Sequence, residues 1–126
     1  MSKSPGHRDL PEHSIVERPL RKRLQVTVDG ELIADSTAVI EVREDGSPVR
    51  YYFPRADVKM DRLARTAMTT QCPFKGTANY FSIDANGRKL KDAVWTYEDP
   101  YDEHLALKDR VAFYEERAPG LSIRPL

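Results

Sequence analysis

Two dipeptides constrain this chain more than any other feature. Asp29-Gly30 and Asn86-Gly87 each lie between runs in which apolar and polar residues alternate. Both positions of such a pair tolerate positive φ, which the two-residue turn of a β-hairpin requires and most residues resist. Before the first turn Leu24, Val26 and Val28 alternate with Arg23, Gln25 and Thr27, and residues 31–35 return after it. Before the second, residues 77–83 form a strand; after it a charged stretch leads into Asp92-Ala93-Val94-Trp95-Thr96-Tyr97, with Ala93, Trp95 and Tyr97 expected on one face.

Further turns fill the chain. Ile40 and Val42 lead through Glu44-Asp45-Gly46-Ser47-Pro48 into Tyr51-Tyr52-Phe53, and Pro54, which cannot donate to a ladder, stops that strand and makes residues 55–57 a turn. Residues 58–68 follow neither period and read as a short strand or irregular structure. Residues 101–107 suit one helical turn around Leu105, and residues 110–114 and 121–123 read as closing strands. Seven or eight short strands leave no crossover of the length parallel pairing needs. The expectation is therefore an all-β antiparallel domain over residues 15–126, with at most one or two helical turns. Residues 1–14, polar and interrupted by Pro5, Gly6 and Pro11, read as a poorly ordered tail unless something pins them.

Composition removes several function classes. Twenty basic residues balance twenty acidic ones, so the molecule carries no net field that would steer it to nucleic acid or anionic lipid. The basic run Arg18-Pro19-Leu20-Arg21-Lys22-Arg23 reads as a solvated lead-in to the first strand. No apolar run is long enough for a membrane span or a secretory leader, so the chain is expected in the cytosol. Cys72 is the only cysteine, so neither an internal disulfide nor a zinc site built on paired cysteines is expected.

The stretch Gln71-Cys72-Pro73-Phe74-Lys75-Gly76 is where side chains would be presented. Pro73 fixes one torsion, Gly76 permits another, and a thiol, a ring and an ammonium are held between them. Aromatic strands flank it, and all the Trp, Tyr and Phe residues fall between Tyr51 and Tyr114. Trp95 serves either as core or as the floor of a pocket for a planar or cationic ligand. Tyr52 and Tyr97 suit a groove wall, because a buried phenol needs a partner for its hydroxyl. Arg55 and Lys75, each in a proline-set turn, would form an anion-binding lip if the turns share a rim. Their ordinary reading is ion pairing, Arg55 with Asp57 or Asp61 and Lys75 with Glu98 or Asp99. Cys72 is either a small buried hydrophobe or a nucleophile beside a basic neighbour. A catalytic dyad would need a histidine, and His104, the one outside the tail, reads as an exposed loop residue.

In order and spacing, Tyr52-Phe53-Pro54-Arg55 with Asp57-Val58, Cys72-Pro73-Phe74-Lys75-Gly76, Ala93-Val94-Trp95-Thr96-Tyr97 and Val111-Ala112-Phe113-Tyr114 resemble the domain-of-unknown-function family numbered 427. The resemblance runs from about Arg23 to Tyr114. It implies a β-tent, two small antiparallel sheets leaning together with a groove between them, and no settled activity. Zinc-bearing relatives of that fold use two Cys-x-x-Cys pairs, which this chain lacks, so zinc does not carry over. The family's nucleotidyltransferase label would ask for clustered carboxylates beside a Gly-Ser turn, and none is seen. The same is true of the reductase relatives' resolving cysteine. The reading is a cofactor-free, metal-free binding domain whose groove, lined by Tyr52, Arg55, Cys72, Lys75, Trp95 and Tyr97, takes a small anionic or aromatic ligand. A Cys72-dependent redox or acyl-transfer enzyme and a protein-interaction module are the alternatives.

Overall fold

The computed structural model describes residues 2–126. Both predicted hairpin turns form: Asp29 and Gly30 have φ of 48° and 87°, and Asn86 and Gly87 have 51° and 73°. They join β2 (Leu24–Val28) to β3 (Glu31–Ser36) and β7 (Gly76–Ala85) to β8 (Arg88–Thr96). The remaining strands are β1 (Ile15–Pro19), β4 (Ile40–Glu44), β5 (Arg50–Tyr52), β6 (Leu63–Cys72), β9 (Val111–Phe113) and β10 (Leu121–Pro125). Every pairing between strands is antiparallel, and helix is confined to α1 (Pro5–Asp9) and four short 3₁₀ segments. The expected turn around Leu105 is the longest of those segments, Asp102–Leu107.

The strands form three sheets where two were expected, ordered β1-β4-β5, β10-β2-β3 and β6-β7-β8-β9. Ser36 separates the first two: its Oγ accepts from the Ala38 N–H at 2.9 Å and donates to Asp57 at 2.7 Å, turning the chain out of β3 before β4 begins. Phe53 and Val111 exchange two backbone hydrogen bonds, of 2.8 and 2.9 Å, and so tie β5 to β9.

Two strands, one that the sequence did not mark and one that it left open, complete these sheets. β1 lies between the expected tail and the basic run, overlapping that run only at Arg18 and Pro19, and pairs with all of β4. β6 covers much of the stretch without a period; it is a mostly exposed edge strand whose register slips between Arg65 and Thr69.

Burial on both faces of β7 and β8 gives the molecule two apolar clusters. One, between β10-β2-β3 and the four-stranded sheet, includes Val26, Ile33, Phe81, Val94 and Phe113. The other, beneath β1-β4-β5, includes Val42, Tyr52, Tyr80, Trp95 and Tyr97. Ala93 packs in the first cluster, away from Trp95. Asp92, at φ 51°, opens a bulge immediately before it and resets the alternation.

Residues 2–14 are pinned to the bend between β6 and β7. The Gly6 N–H donates to the Pro73 carbonyl at 2.8 Å, the Ser4 hydroxyl donates to the same oxygen at 2.7 Å, and the Ser4 N–H donates to Glu103 at 2.9 Å. A Cβ at Gly6 would lie 2.7 Å from the Pro73 oxygen, so the approach needs glycine. This docking uses partners some seventy to a hundred residues away, which local composition cannot signal.

Candidate functional site

β6 ends at Cys72 and β7 begins at Gly76, whose φ of 117° lets the chain reverse through Pro73, Phe74 and Lys75. The bend stands beside a pocket of about 180 Å³ between the β1-β4-β5 sheet and the four-stranded sheet. Cys72 and Lys75 line it together with Tyr52, Trp95 and Tyr97, so five of the six expected site residues border one cavity.

Aromatic rings build the wall. The Trp95 indole N–H donates to the Tyr52 hydroxyl at 3.1 Å, with the rings at 90° and 6.1 Å apart. Tyr114 lies over Trp95 at 4.1 Å, and the Tyr80 hydroxyl bonds Thr70 at 2.9 Å. Arg50 covers the rim, its guanidinium 5.2 Å from the ring centres of both Trp95 and Tyr114 and 2.8 Å from Glu116. Burial raises the phenols of Tyr52 and Tyr97 above their ordinary range and pushes Tyr114 up to about 12. They therefore stay protonated at neutral pH and can donate. Tyr97 is only 7% exposed, and no hydrogen bond among the described residues uses its hydroxyl.

Lys75, 5% exposed, places its ammonium 2.5 Å from Glu44 Oε1, and His13 Nε2 is 2.9 Å from the other carboxylate oxygen. Burial alone would raise the Glu44 carboxyl; hydrogen bonds from Lys75 and His13 outweigh it and hold the carboxyl below its usual value. Lys75 is thus ion-paired as its ordinary reading had it, but with Glu44 of β4 in place of Glu98 or Asp99.

Arg55 does not line this cavity. Its guanidinium donates to the Asp109 carbonyl at 2.6 Å, the Thr96 hydroxyl at 3.0 Å and Glu98 at 3.2 Å. Glu98 also receives Arg65 and is pulled down to about 2, chiefly by the Arg65 hydrogen bond. Arg55 and Lys75 therefore share no anion-binding lip, and the Arg55 partner is Glu98, not Asp57 or Asp61.

His104 is not an exposed loop residue. It is 3% exposed, its Nδ1 meets the Glu17 carboxylate, and its Nε2 is 2.8 Å from His7 Nε2. His7 packs edge-on to Phe74 at 5.0 Å and His13 stacks on the same ring at 4.2 Å, so all three histidines gather around the bend. Sequence reasoning also missed Arg50, Tyr80 and Tyr114. Tyr80 had a local signal, since it alternates with Ala78 along β7; the placing of Arg50 depends on the pairing of β4 with β5. Among the described residues no three or more His, Cys, Asp or Glu side chains converge to hold a metal ion, and no helix is long and apolar enough to cross a membrane.

The profile of a family described as "Domain of unknown function (DUF427)" matches residues 17–122. No curated protein matches the chain significantly.

Proposed function

The chain belongs to the DUF427 family, whose description assigns no activity, and from the geometry of its pocket we propose that it is a binding domain for a small planar molecule with a hydrogen-bond acceptor. The observation that carries this is Tyr97: its side chain lines the cavity and is enclosed but for its hydroxyl, which keeps access to solvent and has no protein partner among the described residues. A ligand acceptor would replace the water open to that hydroxyl, a hydrogen bond worth about 1 kcal/mol net. The size agrees, because an apolar cavity of about 150 Å³ holds benzene.

Charge does not select this ligand. The Lys75 ammonium is matched by Glu44 and the Arg50 guanidinium by Glu116, so the rings and the free hydroxyl choose the molecule, and the aromatic half of the expectation is the better supported. The enzyme reading of Cys72 is less supported, because the cation nearest along the chain is already committed to a carboxylate.

Titration of Trp95 emission with a set of single-ring fragments, phenol, benzamide and pyridine derivatives among them, tests the proposal. At least one carbonyl-bearing fragment should quench saturably, and Tyr97→Phe should weaken it about fivefold, the worth of one ordinary hydrogen bond. No saturable quenching, or quenching indifferent to Tyr97→Phe, would overturn the reading.

A further inference from the structure

The two imidazoles that meet where the amino-terminal arm lies on the body cannot both be fully protonated while they touch. His7 Nε2 and His104 Nε2 are 2.8 Å apart, a separation that holds one shared proton with one nitrogen donating and the other accepting. His104 Nδ1 is occupied by a second proton facing the Glu17 carboxylate. His7 Nδ1 can hold a third. A fourth would set two N–H groups head to head at that contact. The docked pair therefore carries at most three protons on four ring nitrogens and at most one positive charge; the separated rings accept all four.

We propose that residues 2–10 are the proton-released part of the arm, docked on the bend at neutral pH and shed when His7 and His104 both become imidazolium. His13 and Ser14 stay held by Glu44 and Asp45. Histidine is the side chain whose charge ordinarily changes between about pH 5 and 8, so the device works within a biological range. The sign is fixed by the count. Release takes up one proton, and the docking constant falls about tenfold for each pH unit once the rings titrate.

The charges around the pair do not change that count. Glu17 faces it from β1 and Glu103 from the segment Asp102–Leu107, while Lys3 and Arg8 border His7 on the arm itself. Beyond Phe74 stand His13, Glu44 and Lys75. Glu17 and Glu103 favour the first positive charge on the pair, but neither carboxylate can accept from two nitrogens pointed at one another. Nor is the pair a metal centre: no third ligand joins it among the described residues.

The arm bears on the pocket through Pro73, whose carbonyl takes both the Gly6 N–H and the Ser4 hydroxyl and whose neighbours on the bend include Cys72 and Lys75. Release therefore unbraces one wall of the cavity. This consequence rests on the pocket reading above; the release itself does not, and neither measurement below uses a ligand.

Hydrogen exchange of the residue-6 amide, corrected for its intrinsic rate at each pH, reads docking directly. Protection should fall by up to about tenfold per pH unit on acidification through the range in which histidine ordinarily changes charge, about pH 8 to 5, while the Val26 amide in the core keeps its protection and so excludes global unfolding. His7→Gln, whose amide can face His104 in either protonation state, should keep the arm docked across the range. Gly6→Val, which drives a side chain into the Pro73 carbonyl, should leave it undocked at every pH. Flat protection in the unaltered protein, or the same fall in His7→Gln, overturns the proposal. Alkylation of Cys72 by iodoacetamide at one fixed pH then tests the link to the pocket. Gly6→Val should react several-fold faster than the unaltered protein, and equal rates would show that the arm does not brace the bend.

Discussion

Glu44 is the residue on which the bend, the sheet and the arm meet. It leaves β4 to accept the Lys75 ammonium on one oxygen and His13 on the other, in a site where Lys75 is almost wholly enclosed. Its carboxyl is lower in the folded protein than unfolded, because the two hydrogen bonds outweigh the burial that would raise it. A depressed carboxyl contributes stability that is present above its unfolded value, about 4.3, and is lost as pH falls through the folded value. Lys75→Met removes the main counter-charge and leaves the carboxylate half-enclosed with His13 alone. At pH 7 this should cost about 1–3 kcal/mol in urea unfolding. The deficit should shrink as pH falls through the depressed folded value, where Glu44 becomes neutral in the unaltered protein as well. A deficit that grows with acidity would mean that Lys75 matters for packing and not for charge. Arg55, by contrast, belongs to a separate polar cluster with Glu98, Arg65 and Thr96, so its substitution should leave fragment binding at the Trp95 pocket unaltered.

Among the elements, the tight turns show how one residue type serves two demands. Gly87 has φ 73° and open space where a Cβ would stand, so Gly87→Ala meets only the backbone cost of the left-handed region, about 1 kcal/mol. Gly120 has φ 89°, and a Cβ there would lie 2.1 Å from Asp29 Oδ1, in the clamp formed by Asp29, Arg88 and the Pro119 carbonyl. Gly120→Ala should therefore lose roughly twice as much, read from urea midpoints; equal losses would show that the clamp yields freely. The same contrast explains what the sequence made legible. Asp29-Gly30 and Asn86-Gly87 announce their hairpins because the signal is complete within a few residues. β6 was left open between a short strand and irregular structure, since an edge strand with a slipped register and exposed polar side chains has no period to display. β1 is five residues long, ends in Glu17-Arg18-Pro19 without a sustained alternation, and its pairing partner begins some twenty positions on. The site divides in the same way. Cys72, Lys75, Trp95 and Tyr97 converge because two successive hairpins, β6 to β7 and β7 to β8, bring their positions together, whereas Glu44, Arg50 and His13 arrive through pairings and docking that only the folded chain supplies.

At the scale of the whole molecule, β8 decides whether the two apolar clusters stand or fall together. Val94 points into one and Trp95 into the other, one residue apart on a strand whose backbone cannot be ordered on one face alone. Neither cluster is enclosed by a separate stretch of chain, since β7, β8 and β9 contribute to both. Unfolding should then be a single transition. Trp95 provides a probe confined to the second cluster, so a lesion in the first offers a clean test. Phe113→Leu, in the first cluster, should cost about 1 kcal/mol, and Val42→Ala, beneath β1-β4-β5, about 2 kcal/mol. Both should shift Trp95 emission and far-ultraviolet circular dichroism to one common midpoint, because coincident probes mark a two-state change. If Phe113→Leu moves the dichroism and leaves the Trp95 midpoint in place, the β1-β4-β5 layer folds apart from the rest. The pocket between that layer and the four-stranded sheet would then open by local unfolding without loss of the main core, which a binding site braced from both sides does not allow.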